Sequence, residues 1–459
     1  MSSLGAAATE APPDAEEMAT RLQSAFFDGG GPVVSSCRRT AMLHLPEGGW
    51  GLRYALAISG GPRGASVPWY VNARVIPDRD ALEDAHGELR RLASRVRGRP
   101  DLDAFARLVA VFRNLRMVAS VFPLDIGLPT LVEATEPRLA AGLIGAALER
   151  RGESVAIEGC RVRVGRYGRR NRCVLRYEAD LRSGSTLTVY GKVTGDGRGG
   201  DAHAVIEELR ARGMDGPPLE VPRSLGFHPR LRLLLLEEAP GTTLAHAIRG
   251  AASATGPSVE RDRELRRGIA MAAHVAARLH GSGIPHGSVR TPETEVDGLR
   301  DQVAWVAARS AGAGAVLHRR LEAAAARLAD SESLPLGLCH GDYRHSQLLF
   351  EDQACTLIDF DTLCQGEPPL DLGRFLADLR LAAAKAGGPQ AVDRVGALRD
   401  LFLSSYAEAA GMGYRDGLLL RSRTAAYETL GLVRLGVHSE QKMKRPRMAL
   451  VLQLLKADR

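Results

Sequence analysis

Three side chains in the stretch LCHGDYRHSQLLFEDQACTLIDFD, residues 338–361, are of types that do chemistry together: Asp342, Gln347 and Asp359. Asp342 follows an apolar run and the turn pair His340-Gly341, which places its carboxylate on a loop at the edge of the core. A carboxylate so placed can accept a hydroxyl proton or orient that hydroxyl for attack. Taken alone, His-Gly-Asp is more often a turn with a capping aspartate. Asp359 ends the apolar run TLIDF, and an acid delivered by a buried strand suits Mg2+, which takes one or two carboxylates, neutral oxygens and phosphate oxygens in an octahedral shell. Gln347 can supply an amide oxygen to that shell. Two aspartates seventeen positions apart with an amide between them form a phosphoryl-transfer layout.

The elements that must position these groups follow from periodicity. LPLGLCHGD and CTLIDFD are short, strand-like apolar runs inside a region, beyond Gly241, that otherwise reads as helices rich in Ala, Leu and Arg, such as LRRGIAMAAHVAARLHGSG and ALRDLFLSSYAEAAGM. Upstream, CVLRYEADL alternates Cys173, Leu175, Tyr177 and Ala179 against Arg176, Glu178 and Asp180, the period of a half-buried strand. RSGST then predicts a hairpin into LTVYGKV, and Asp201 is expected to cap a helix bearing Val205, Ile206 and Leu209 on one face.

The chain also repeats itself. Leu-Arg-Tyr follows Cys37 by fifteen positions and follows Cys160 by the same distance; VNARV (71–75) answers VYGKV (189–193); DAHGELRRL answers DAHAVIEELR; LRMVASVFPLDIGLPTL from Leu115 answers LRLLLLEEAPGTTL from Leu231. The offset stays between 116 and 123 residues, which argues for a duplicated unit of about a hundred residues.

At 459 residues the chain exceeds one ordinary core, and 45% apolar with 25% charged residues is the average of folded globular proteins. The net charge of +7 is scattered arginine with no nucleic-acid signature, so no nucleic-acid partner is expected. Six cysteines show no metal spacing and are expected to be reduced, mostly buried thiols. Neither a signal-peptide pattern nor an eighteen-residue apolar run is visible, so the expectation is a cytoplasmic protein without a membrane span, a monomer or a homodimer.

HGDYRHSQLLF, LIDFD and LDLGRFLADL, in that order, resemble the aminoglycoside phosphotransferase and related small-molecule kinase family, whose fold is similar to that of protein kinases. The resemblance covers residues from about 150 to 450 and implies ATP, or another nucleoside triphosphate, with Mg2+ as cofactors. It implies that Asp342 is the catalytic base, that Gln347 and Asp359 hold the metal, and that Asp371 anchors the catalytic loop. Lys192 in TVYGKV matches the family's strand lysine, which reaches the nucleotide phosphates with a helix carboxylate fixing its position. Of Glu207 and Glu208, Glu208 lies nearer the apolar face and is matched by Glu88 in the first repeat, so Glu208 is chosen. Glu237 and Ala239 match the segment whose backbone meets the adenine edge, and GRYGRRNR (165–172) matches the phosphate-covering loop. Many relatives carry Asn at the position of Gln347; the capped, maltokinase-like branch resembles this chain there.

The expected architecture is α+β: a bilobal, protein-kinase-like fold with a small antiparallel-sheet N-lobe, a large helical C-lobe and an extra N-terminal α+β cap resembling a degenerate N-lobe. Expected boundaries are a flexible tail at 1–20, the cap at 21–135, the N-lobe at 136–241 and the C-lobe at 242–459. Arg74 stands in the first repeat where the second has Lys192, and no acidic triad follows it, so the first repeat is expected to be non-catalytic. The expected activity is phosphorylation of a hydroxyl on a small molecule: an aminoglycoside, amino sugar, sugar or other antibiotic. The alternatives are a peptide or protein kinase and a nucleotide-binding pseudokinase module. Between His340 and Arg380, eight acids face three arginines, which either allows Asp361 and Glu367 to meet a cationic acceptor or reads equally as a set of metal-site and helix-cap acids, and a neutral sugar or modified antibiotic stays open.

Overall fold

A computed structural model of the protein describes residues 14–29, 31–45, 48–59, 68–167, 171–253, 259–351, 354–386 and 389–457. The architecture is α+β, and the chain divides into two compact units, Met1–Gly199 with Leu225–Leu235 and Gly200–Ser224 with Leu236–Arg459.

The first unit contains two five-stranded sheets of one topology. In spatial order the first runs Val33–His44, Trp50–Ser59, Trp69–Val75, Met117–Val121, Val109–Phe112, and the second Ile157–Tyr167, Arg172–Leu181, Thr186–Thr194, Leu233–Glu237, Ser224–His228. A helix precedes each, Ala15–Phe26 and Pro137–Arg150. In each, the last two strands in sequence are joined by a 3-10 turn followed by a left-handed arginine, Arg116 at φ 46° and Arg232 at φ 50°. The matched sequence segments therefore occupy matched strands.

Alternation decides which face packs: Cys173, Leu175, Tyr177 and Ala179 are all fully buried. The hairpin after them closes through the Leu181 N–H to Ser185 O bond at 2.9 Å. Tyr167, at the end of the Ile157–Tyr167 strand, ties the sheets together. Its hydroxyl donates to Asp125 Oδ2 at 2.5 Å and accepts from Asn72 Nδ2 at 2.6 Å, while the Arg53 guanidinium lies 3.2 Å from its ring centroid.

Two expectations change. The helix Ala15–Phe26 begins inside the stretch read as a tail, because Asp14 caps it and its periodic Met18, Leu22 and Phe26 are completely buried. The expectation for residues 1–13 lies outside the described residues. Asp201 is not an N-cap: the helix starts at Gly199, after Asp196 Oδ1 has accepted the Arg198 N–H, and Asp201 sits in its first turn.

The second unit is mainly helical, with long helices Val259–His280, Pro292–Ala307, Ala311–Ala329, Pro369–Ala386, Pro389–Ala409, Tyr414–Gln441 and Arg445–Ala457. Two small sheets cross it, one of Thr242–Thr243, Leu348–Glu351, Ala354–Leu357 and Leu219–Glu220, the other of Ser288–Arg290, Cys364–Gly366 and Gly337–Cys339. The six cysteines are free thiols; four are buried, and burial pushes the Cys364 thiol up to about 12. Among the described residues no helix is long and apolar enough to cross a membrane.

Candidate active site

The strand Gly337–Cys339 runs out at His340, and the chain turns through Gly341 at φ +76°. A Cβ on Gly341 would lie 2.0 Å from the Thr362 carbonyl oxygen, so only glycine permits this turn. Asp342 follows it, half-exposed at the loop surface. The loop is held from beneath by Asp371 at the start of the helix Pro369–Ala386. Its fully buried carboxylate accepts the His340 N–H at 2.6 Å and the Gly341 N–H at 2.8 Å, and His280 Nε2 lies 3.2 Å away. Burial by itself would raise the Asp371 pKa. The bond to His280 and the charges of His280, His340 and Arg374 outweigh that, and the group is held below its ordinary value.

The second acid arrives on the neighbouring segment. The strand Ala354–Leu357 ends at Ile358, and Asp359 takes a left-handed conformation, φ 76° and ψ 54°, which aspartate tolerates better than most residues. Three bonds clamp this segment to the Asp342 loop: Ile358 N–H to Gln347 O at 3.0 Å, His340 Nε2 to Ile358 O at 3.0 Å, and Thr362 Oγ1 to His340 O at 2.9 Å.

Gln347 lies between the two acids. Only 5% exposed, it places its Nε2 3.3 Å from Asp342 Oδ2 and 3.3 Å from Asp359 Oδ2. Asp342, Gln347 and Asp359 are thus one cluster. Its donor set, two carboxylates and a buried amide whose oxygen can turn inward, fits the hard-oxygen preference of Mg2+.

Residues 196–418 match the family described as "Phosphotransferase enzyme family". That segment, just under half of the chain, is similar to the phosphotransferase family. Similar solved structures include a glucosamine kinase in complex with glucosamine, ADP and inorganic phosphate (16% identity, 69% of this chain and 84% of that one, TM-score 0.49). Others are a macrolide 2'-phosphotransferase from Brachybacterium faecium (17%, 70% and 98%, 0.39) and a choline/ethanolamine kinase family protein from Mesorhizobium loti (16%, 64% and 87%, 0.40). No curated protein matches the chain.

The remaining expected residues fall as follows around the phosphotransferase segment. Lys192 is 7% exposed on the strand Thr186–Thr194 and belongs to the first unit; Glu208 belongs to the second. Glu208 is half-exposed and bonded to Arg212 Nε at 2.7 Å, a helix-surface pair one turn apart. Glu237 accepts Arg223 Nη1 at 2.9 Å through its side chain. The Ala239 N–H makes no backbone hydrogen bond among the described residues. Of the loop 165–172, residues 168–170 lie outside the described residues.

Two acids read as possible acceptor contacts part company. Glu367 is 1% exposed and engaged in a two-pronged ion pair with the fully enclosed Arg423, so it cannot meet an acceptor; Asp361 stays half-buried near the cluster. Part of the eight-to-three surplus of acids is taken up by tertiary partners, as the structural reading of those acids expects: Asp371 holds backbone, and Asp378 lies 2.8 Å from His345 Nδ1.

The charged neighbours of Asp342 that sequence spacing did not single out are arginines. Arg344 Nη2 donates to Asp342 Oδ2 at 2.6 Å. Arg374 and Arg434 both bond Glu295 Oε2, at 2.8 and 2.7 Å, and the Asp342 carboxylate favours the charged form of each. Burial and the adjacent Arg374 nevertheless push Arg434 down to about 10. Arg344, two residues from Asp342, was legible as a neighbour; Arg434, ninety-two positions away, had no sequence signal.

Proposed function

We propose that this protein transfers the γ-phosphoryl group of ATP to a hydroxyl of a small molecule. The observation that supports it is the convergence of Asp342 and Asp359 on one buried amide, Gln347, over a loop anchored by Asp371. In this reading Asp342 orients the acceptor hydroxyl and takes its proton as that oxygen attacks the phosphorus. Gln347 and Asp359 are the residues that would hold Mg2+, which when bound neutralises charge on the nucleotide phosphates. Asp371 and His340 keep the loop from shifting, which matters because phosphoryl transfer depends mostly on positioning. Lys192 is assigned to the nucleotide phosphates, and the backbone of Glu237 and Ala239 to the base. We assign the partner carboxylate to Glu207 in place of Glu208, because Glu208 is already committed to Arg212 at the helix surface.

The acceptor is read as neutral or anionic, since the cationic-acceptor reading drew on Glu367, which is enclosed, and the groups nearest Asp342 include Arg344, Arg374 and Arg434. A polypeptide acceptor is disfavoured: three residues after Asp361 the chain enters the strand Cys364–Gly366 and then the helix Pro369–Ala386, leaving little platform. By analogy with the phosphotransferase family, the first repeat is read as a non-catalytic cap.

The test is ATP turnover with Mg2+ across sugars, amino sugars, hydroxy acids, macrolides and aminoglycosides, with Asp342→Ala as control. The variant is expected to lose a hundredfold or more, on the order of general-base removal. Mg-ATP binding without turnover of any acceptor, the variant behaving as wild type, would instead identify a nucleotide-binding module.

A further inference from the structure

Three arginines from three elements converge on one carboxylate within the second unit. Glu295 sits in the first turn of the helix Pro292–Ala307. Its Oε2 accepts Arg374 Nη2 at 2.8 Å and Arg434 Nη2 at 2.7 Å, and its Oε1 lies 3.7 Å from Arg290 Nη1. Arg290 ends the strand Ser288–Arg290, Arg374 stands three residues after Asp371 on the helix Pro369–Ala386, and Arg434 comes from the helix Tyr414–Gln441.

The cluster borders the Asp342 loop. Arg290 Nη2 donates to Thr362 O at 3.4 Å, and this carbonyl is the atom that a Cβ on Gly341 would strike, one residue before Asp342. Asp371, whose carboxylate holds the His340 and Gly341 N–H groups, favours the charged form of Arg374 about one turn along its helix. The Asp342 carboxylate acts on Arg374 and Arg434 alike.

Sharing one acceptor leaves donors unused. A guanidinium carries five N–H bonds in a rigid fork. In Arg434 the Nη2 is engaged by Glu295, whereas Nε and Nη1 donate to no group among the described residues and neither is shut off from solvent, the side chain being 28% exposed. Arg290, 25% exposed, contributes side-chain contacts of 3.4 and 3.7 Å, both long. Packing like charges this closely works against the cluster: burial and the neighbouring Arg374 push Arg434 down to about 10. An anion at the open edge of Arg434 relieves that repulsion and takes charge-assisted hydrogen bonds.

We infer that Arg434, with Arg290 and Arg374 beside it, is the anion subsite of the acceptor: the substrate carries a carboxylate or phosphate group that docks there while its hydroxyl meets Asp342. This rests on the phosphotransferase reading of Asp342 and narrows the acceptor to an anionic one.

The probes are polyols of one skeleton that differ at one end: gluconate, sorbitol 6-phosphate, sorbitol and glucamine, carrying a carboxylate, a phosphate, no charge and an ammonium. The full-length protein with Mg-ADP is treated with phenylglyoxal, which modifies accessible arginines, and Arg434 is followed by peptide mass spectrometry. Gluconate or sorbitol 6-phosphate is expected to slow its modification about tenfold at saturation, and sorbitol and glucamine not at all. The anion that protects at lower concentration identifies the head group. In ATP turnover that anion is expected to be the preferred acceptor, and Arg434→Gln to raise its KM about tenfold with kcat changed less, the loss of one charge-assisted bond. Arg434→Lys, which keeps the charge, is expected to recover part of that loss. Equal modification of Arg434 with all the probes, an Arg434 that phenylglyoxal does not reach, or turnover of sorbitol as efficient as that of either anion overturns the inference without touching phosphotransfer. Protection of Arg434 with no ATP turnover of any acceptor sustains the anion site and counts against phosphotransfer. Should Arg434→Gln fail to fold, the protection pattern of the wild type still decides.

Discussion

The Asp371 carboxylate accepts the main-chain N–H of Gly341 at 2.8 Å, so an acid at a helix start dictates where the next residue, Asp342, can stand. Asp371→Asn keeps the size but loses the charge and one of the acceptor oxygens. A buried charge stripped of its role in such a network costs about 3 kcal/mol, and the turnover number is expected to fall with the loop's order. The pH dependence follows from the depressed folded-state pKa. Asp371 contributes stability above its unfolded value of about 3.9, and that contribution is lost as the pH falls through its lower folded value. Urea unfolding should therefore show a wild-type advantage over the variant that is flat near neutrality and shrinks below about pH 4.

Gln347→Leu removes a buried amide whose Nε2 lies 3.3 Å from both Asp342 Oδ2 and Asp359 Oδ2. Activity is expected to drop at least a hundredfold, comparable to losing a key oriented group. Gln347→Asn retains the amide on a shorter stem and should shift the Mg2+ concentration for half-maximal rate while keeping measurable turnover. Initial rates against Mg2+ concentration separate the two; identical curves for wild type and both variants would leave Gln347 without a role in the site.

Glu207 and Glu208 are adjacent but not equivalent. Glu208→Gln breaks only an exposed pair with Arg212, a change of about 0.5 kcal/mol or less, and the nucleotide KM should stay within twofold. Glu207→Gln should raise the nucleotide KM or lower kcat by tenfold or more. The reverse pattern would restore Glu208 to the role expected from the helical wheel.

Glu367→Gln leaves Arg423 enclosed and unpaired, at a cost of about 3–5 kcal/mol. The effect should appear in denaturant midpoint and not in acceptor KM under conditions where the variant is folded. A selective loss of affinity for a cationic acceptor would contradict the enclosed position of Glu367.

How much was legible beforehand differs by element. The strand Arg172–Leu181 and its hairpin follow from local alternation and turn chemistry, and the duplication was readable because the same strands recur with the same spacing. The helix Ala15–Phe26 was missed because its Ala/Glu-rich start resembles a tail in composition; burial of Met18 and Leu22 against the first sheet's core gives it a reason to form. Composition around the Asp342 loop left two readings open. Eight acids suggested an anionic acceptor surface, but a carboxylate's availability depends on which distant cation or backbone group it meets, as Glu367 with Arg423 shows.

The sequence by itself singled out Asp342, Gln347 and Asp359 as the candidate set, with their order and the α+β character of the elements around them, because spacing, side-chain type and periodicity are local properties. Only the tertiary structure decided that Gln347 sits between the two acids, that Glu208 is taken by Arg212, and that Arg344, Arg374 and Arg434 are the charged company of Asp342. Those relationships arise where segments far apart in the chain are packed together, and electrostatic partnership depends on distance in space, which spacing along a sequence does not encode.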